Sequence, residues 1–190
     1  MEASLCSQQW QPNATNHAKR YRRLTVANGV LTFARDGDSR ESPLHQITGV
    51  LLGIRSRVSG SSGRDRTLIE LLLRQSGEAP VICVISGTLI DEEEEITPYG
   101  HMLLARLAHP ECRLRKGEPI ELQVWSRKGD DGVTYCALRN PTTDFPLKAY
   151  STEFPTTETL RHVLITRWLS VAIDHFGSWI DPSADQREEV

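Results

Sequence analysis

The stretch HQITGVLLGIRSRVSGSSGRDRTLIELLLR, residues 45–74, decides how the chain is read. Its first half is rich in β-branched and aliphatic residues and carries Gly49 and Gly53, which inside a strand mark a bulge or a sharp bend. A Gly/Ser loop follows, and then RTLIELLLRQS, a run of strand length between turn signals, although its leucines would also suit a helix. From Gly53 to Arg74 the segment holds five arginines and two acids, in a chain whose formal charge is −3. Arg55 and Arg57 are two apart and share one face of a strand. Arg64 and Arg66 sit in and just after the loop.

Downstream, APVICVISG is a short, almost wholly apolar third strand. Thr97-Pro98 then provides a helix start, with Thr97 as cap and Pro98 in the first turn, where its missing N–H is harmless. Met102, Leu103, Leu104, Ala105, Leu107 and Ala108 make a one-sided stripe that Pro110 ends. Two alternating runs complete the body, PIELQVWSRK and VTYCALRN, on either side of GDDG. If that hairpin closes around Asp130, Trp125 stands opposite Tyr135 and Glu121 opposite Arg139. Trp125, Arg127, Tyr135 and Arg139 then face outward, a pair of rings flanked by guanidinium groups.

The order strand, strand, strand, helix, strand, strand is that of an OB-fold, a five-stranded Greek-key barrel. Its opening I-x-G-V-L-x-G-I strand (Ile47 to Ile54) and late G-x-P-I-x-L-x-V-W strand (Gly117 to Trp125) carry a resemblance. Over about half its length, the chain resembles the small OB-fold single-stranded DNA-binding proteins of phages and mobile elements. The resemblance implies a mainly β protein with a β-barrel, a non-catalytic role, and binding of single-stranded DNA, or RNA, with little sequence preference. It also departs from many cellular single-strand binders, whose acidic tip ends in phenylalanine, because this chain ends in REEV.

The flanks add further expectations. Residues 1–18 are polar and without period, and read as a flexible arm. Within 19–140, a small β-hairpin at Asn28-Gly29 precedes the barrel, because Asn-Gly suits a turn with positive φ at both central positions. Lys19, Arg20, Arg22 and Arg23 surround Tyr21 as a basic arm. In 141–180 a Pro-rich loop leads to a C-terminal helix from Thr157 to Phe176. Its apolar positions Leu160, Val163, Leu164, Trp168, Val171, Ala172 and Phe176 are expected to be buried on the barrel or on another subunit, anchored by Trp168 and Trp179. Residues 181–190 form an acidic tail.

The proposed nucleic-acid contacts are thus Arg55, Arg57, Arg64, Arg66, Arg127 and Arg139 with phosphates and Trp125 and Tyr135 with bases, aided by Lys19, Arg20, Arg22 and Arg23. Nucleophile-elbow, phosphate-loop and zinc-protease patterns are missing, and the four cysteines form no C-x-x-C pair. No catalytic residue, cofactor or metal is therefore expected, and the acids Asp91 to Glu95 read as a solvated run. The absence of a long apolar run and of a signal-like N-terminus points to the cytoplasm. The rival reading is an OB-like interaction module or adaptor subunit, using the C-terminal helix to reach a protein partner or a second copy.

Overall fold

Asn28 and Gly29 have φ of 51° and 73°, so the turn between β1 (Tyr21–Ala27) and β2 (Val30–Phe33) has positive φ at both central positions, which gives a two-residue hairpin a turn that matches the right-handed twist of its strands. In the computed structural model the residues described are 21–33, 42–60, 65–76, 81–111, 114, 117–130, 132–142, 145–150 and 157–179. The arm at 1–18, the tail at 181–190, and Lys19, Arg20 and Arg64 lie outside them.

The chain continues through β3 (Gln46–Gly60), β4 (Asp65–Gln75), β5 (Val81–Ile90), α1 (Pro98–Leu107), β6 (Pro119–Trp125), β7 (Tyr135–Asn140), β8 (Phe145–Pro146) and α2 (Glu158–Phe176). The ambiguous LIELLLR run is a strand. Among the described residues the eight strands join one sheet in the order β2-β1-β5-β4-β3-β6-β7-β8. Three antiparallel neighbours, β5-β4-β3, are followed by a long connection through α1, and β6 returns beside β3, which is a Greek-key path. The long strand β3 serves both halves: Gln46 to Val50 pair with β6, and Val50 to Gly60 with β4. Between Leu51 and Gly53 its register slips by a bulge, at the place the glycines marked.

The β1–β2 hairpin is not a separate element ahead of the barrel. β1 runs parallel to β5, Leu24 beside Ile85, making the sheet mixed. Paired hydrogen bonds between Leu31 and Leu44 bring β2 back to the segment that enters β3. The hairpin tip also docks on the β6–β7 hairpin: the Gly29 N–H donates to Thr134 Oγ1 at 3.0 Å, and a Cβ on Gly29 would collide with the Trp125–Ser126 backbone. The sheet therefore curls into a half-barrel around one core.

Alternation fills that core from β1 through β7. Leu24, Val26, Leu31, Ile47, Leu51, Ile54, Ile69, Leu71, Leu73, Ile85, Ile120, Leu122 and Leu138 are buried on the inner face. α1 lies across the curl, with Leu103, Leu104 and Leu107 in the core and its first turn capped by Gly100 N–H donating to Thr97 Oγ1 at 3.1 Å. Tyr99 lies against Gly87, where any side chain would meet its ring.

α2 runs Glu158–Phe176 and ends at Gly177, φ 91°. Its buried side is Ile165, Trp168, Ala172 and Phe176, at helical spacing. This corrects the expected stripe: Leu160 (55% exposed), Val163 (61%) and Val171 face outward, and Ile165 faces in. Trp168 does anchor the helix. Its ring stacks against Tyr150 (centroids 5.0 Å apart) on one contact and His101 (5.6 Å) on another. Among the described residues no helix is long and apolar enough to cross a membrane.

Candidate nucleic-acid interface

Strand alternation sorts the arginines. In β4 the inner side holds Ile69, Leu71 and Leu73, so Arg66, Leu68, Glu70, Leu72 and Arg74 share the outer face. The register carries this face to neighbouring strands: Arg55 pairs with Glu70, Arg57 with Leu68, Ser86 with Glu70 and Val84 with Leu72. In β1, Arg23 pairs with Val84 and joins it. The outer face of β1, β5, β4 and β3 thus bears Arg23, Arg55, Arg57, Arg66 and Arg74, and Glu70 is the one acid there among the described residues.

Glu70 is fully buried and gathers three donors. Arg55 Nε donates to Oε2 at 2.7 Å, with a second guanidinium nitrogen at 2.6 Å from that oxygen. Arg57 Nε and Ser86 Oγ donate to Oε1 at 2.8 and 2.9 Å. Burial alone would push the Glu70 carboxyl up, but the hydrogen bonds from Arg57, Arg55 and Ser86, with the Arg55 charge, hold it below the ordinary glutamate value. The carboxylate consequently stays ionised and fixes both guanidinium groups, leaving the trio with a net charge of +1. Arg57 remains 43% exposed, whereas Arg55 is 17% exposed.

The lower exposure of Arg55 has a named cause. Its guanidinium carbon lies 3.7 Å from the ring centre of Trp179, just beyond α2. The Ile54 N–H donates to Gly177 O at 2.9 Å, tying the same segment to β3. Gly53 makes the approach possible, because a Cβ there would press on Gly177 O and Trp179 Cδ1 at 3.2 Å.

The second cluster is on the β6–β7 hairpin. Trp125 pairs with Tyr135 and Glu121 with Arg139, the register that closure around Asp130 predicts. The two rings lie 6.3 Å apart at an interplanar angle of 20°, both half-buried, and the Arg127 guanidinium lies 4.5 Å from the Tyr135 ring centre. Tyr135 OH donates to Asp130 Oδ2 at 2.8 Å, which fixes the ring plane and pushes the phenol pKa up. Arg139 is exposed; its opposite number Glu121 accepts a hydrogen bond from Gln123 Nε2.

The arginine face and the ring pair do not touch. Trp125 follows the Gln46–Gln123 pair at one end of β3, and Arg55 lies nine residues further on, about 30 Å of strand contour. Arg22 also parts from Arg23: it pairs with Cys83 and lies 5.7 Å from the Phe33 ring centre. Asp91 Oδ1 accepts the Glu93 and Glu95 N–H groups, so the acidic run is a self-bonded turn. Cys83 and Cys136 are buried free thiols, and burial pushes their pKa values up to about 11 and about 12.

Three contributors escape a reading of the sequence by motif: Glu70, Arg74 and Trp179. For the first two the signal is parity, since both fall at the even positions of β4 that Arg66 also occupies. Trp179 carries no local signal, because its partner is over 120 residues away. No protein-family model, curated protein or solved structure matches the chain, so the site stands on its own geometry.

Proposed function

We propose that this protein binds single-stranded nucleic acid, DNA or RNA, without catalysing a reaction on it. The observation that carries the reading is the outer face of β1, β5, β4 and β3, where five arginines accompany one buried, already paired carboxylate in a chain of net charge −3. Such a local surplus attracts phosphates whatever the total charge. The half-exposed Trp125–Tyr135 pair with Arg127 supplies the rings on which unpaired bases stack.

The connectivity supports an OB-like reading. β3 to β7 with α1 between the third and fourth of them follows the OB order, and the ligand-binding parts of that fold are its second and third strands and the loops after its first and fourth. Here those are β4, β5, the β3–β4 connection and the β6–β7 hairpin; Arg66 and Arg74 lie on β4 and the rings on the hairpin, with Arg55 and Arg57 on the adjoining β3 and Arg23 on β1. The spacing between the two clusters suits a strand several nucleotides long that rests phosphates on one and bases on the other.

A second reading, an interaction module, is favoured by one observation: Leu160, Val163 and Val171 on the exposed side of α2. Ionic strength separates the two. Fluorescence anisotropy with a labelled oligo-dT of about 30 nucleotides, against a duplex control, should show single-strand binding that weakens steeply with salt. No binding at low salt would remove the nucleic-acid reading and leave the α2 surface as the functional one.

A further inference from the structure

We propose that the seat of Trp179 is a second nucleobase subsite, which the protein keeps occupied with its own indole until a single strand displaces it. The inference rests on the nucleic-acid reading above and adds where a base goes and what it must push aside. The seat is built from three consecutive residues of β3. Gly53 leaves room above the strand, the Ile54 N–H is a donor at the strand edge, and the Arg55 guanidinium offers a flat cationic face. Glu70 holds that guanidinium by two of its nitrogens, so the plane keeps its orientation whether or not a ring covers it.

Each part suits a base as well as it suits the indole. A purine or pyrimidine stacks on a guanidinium plane as an indole does, and its ring carbonyl can accept the Ile54 N–H that Gly177 O now takes. The seat lies on the arginine face, with Arg57 two residues along the same strand to meet the adjoining phosphate. The resident ring is also imperfectly housed: Trp179 Nε1 is buried with no hydrogen-bond partner among the described residues. A buried N–H without a partner raises the energy of the docked segment and makes it displaceable.

Two substitutions and one local probe test this. Trp179→Ala removes the competitor; Gly53→Val keeps the tryptophan in the chain but fills the space beneath it. Circular dichroism and thermal melts verify that each variant is folded. If the seat is open about one-tenth of the time, Trp179→Ala should bind labelled oligo-dT about tenfold more tightly, whereas Gly53→Val, whose side chain fills the seat against indole and base alike, should show no such gain; the salt slope should be unchanged in both because no charge is altered. In the wild type, oligo-dT should shift the Ile54 amide resonance, read by NMR, as its acceptor changes from Gly177 O to a base carbonyl, while neighbouring β3 amides are unaffected. Wild-type binding with equal or weaker binding by Trp179→Ala would overturn the subsite and leave the proposed function standing. Tighter binding with the Ile54–Gly177 bond intact would overturn the displacement. Absence of binding by wild type and variants alike would overturn both readings.

Discussion

Arg55 meets Glu70 edge-on and Trp179 face-on: two nitrogens of its guanidinium reach one carboxylate oxygen at 2.6 and 2.7 Å, while its plane carries the indole at 3.7 Å. One side chain is thereby the joint between a buried acid and a surface ring. Glu70→Gln keeps the shape and removes the charge. Breaking a buried pair typically costs about 3–5 kcal/mol, but Arg57 can turn to water, so a loss nearer about 2–3 kcal/mol is expected in urea unfolding. Because the folded carboxyl titrates below its unfolded value, its contribution is complete above the ordinary glutamate pKa and is lost as pH falls through the folded one. The variant should lack that acid-side decline.

His101 has a different window. Burial first, and the Arg106 charge second, push its pKa down to about 4. The unfolded chain takes up a proton near pH 6.5 that the folded chain refuses, so stability should fall between about 6.5 and about 4 by up to roughly 3 kcal/mol, then level off. Unfolding midpoints across that range measure the slope. His101→Phe, which retains a ring against Trp168, should flatten it.

Trp125 is half-buried on the face away from the core, so its removal should spare the fold. Trp125→Ala should weaken single-strand binding by about 1–3 kcal/mol, the usual worth of one stacked base. Oligo-dT titration with a matched melting curve tests both halves of the statement. Unchanged affinity would remove the ring pair from the interface.

Arg66 and Arg74 are exposed on the arginine face. Each replaced by Ala should reduce the slope of log affinity against log salt by about 0.7, the share of one phosphate on a single strand. Weakening should be uniform across oligonucleotide sequences. A slope equal to that of the wild type would place these two residues outside the contact.

Gly87 is held to its identity by the Tyr99 ring, which occupies the space of a Cβ. Gly87→Ala should destabilise by about 1–3 kcal/mol, as overpacking of a core does. The effect belongs in the melting temperature, with oligonucleotide affinity of the folded fraction unchanged.

Local chemistry explains which parts of this architecture were legible. Asn28-Gly29 specifies its turn by φ alone, and a β6–β7 connection centred on Asp130 sets the Trp125–Tyr135 pairing by counting. The α2 face was misassigned because its apolar residues cover more than one side. Trp168 and Ala172 fit two different stripes, and only the packing partner chooses between Ile165 and Val163. The parallel contact of β1 with β5 is settled by the core rather than by either segment. Strand parity puts Glu70 on the outer face, but the two β3 arginines that arrive over it and bury it are a matter of register between strands.

That parallel pairing also orders events during synthesis. The β1–β2 hairpin is synthesised before β5, yet the strand that completes β1 is residues 81–90. Until then β1 has an unsatisfied edge, the kind that recruits another chain. Arg22 and Arg23 lie on this waiting strand, and their like charges repel a second nascent copy in the interval. A strand that waits for its partner with two adjacent arginines is a poor template for a second copy.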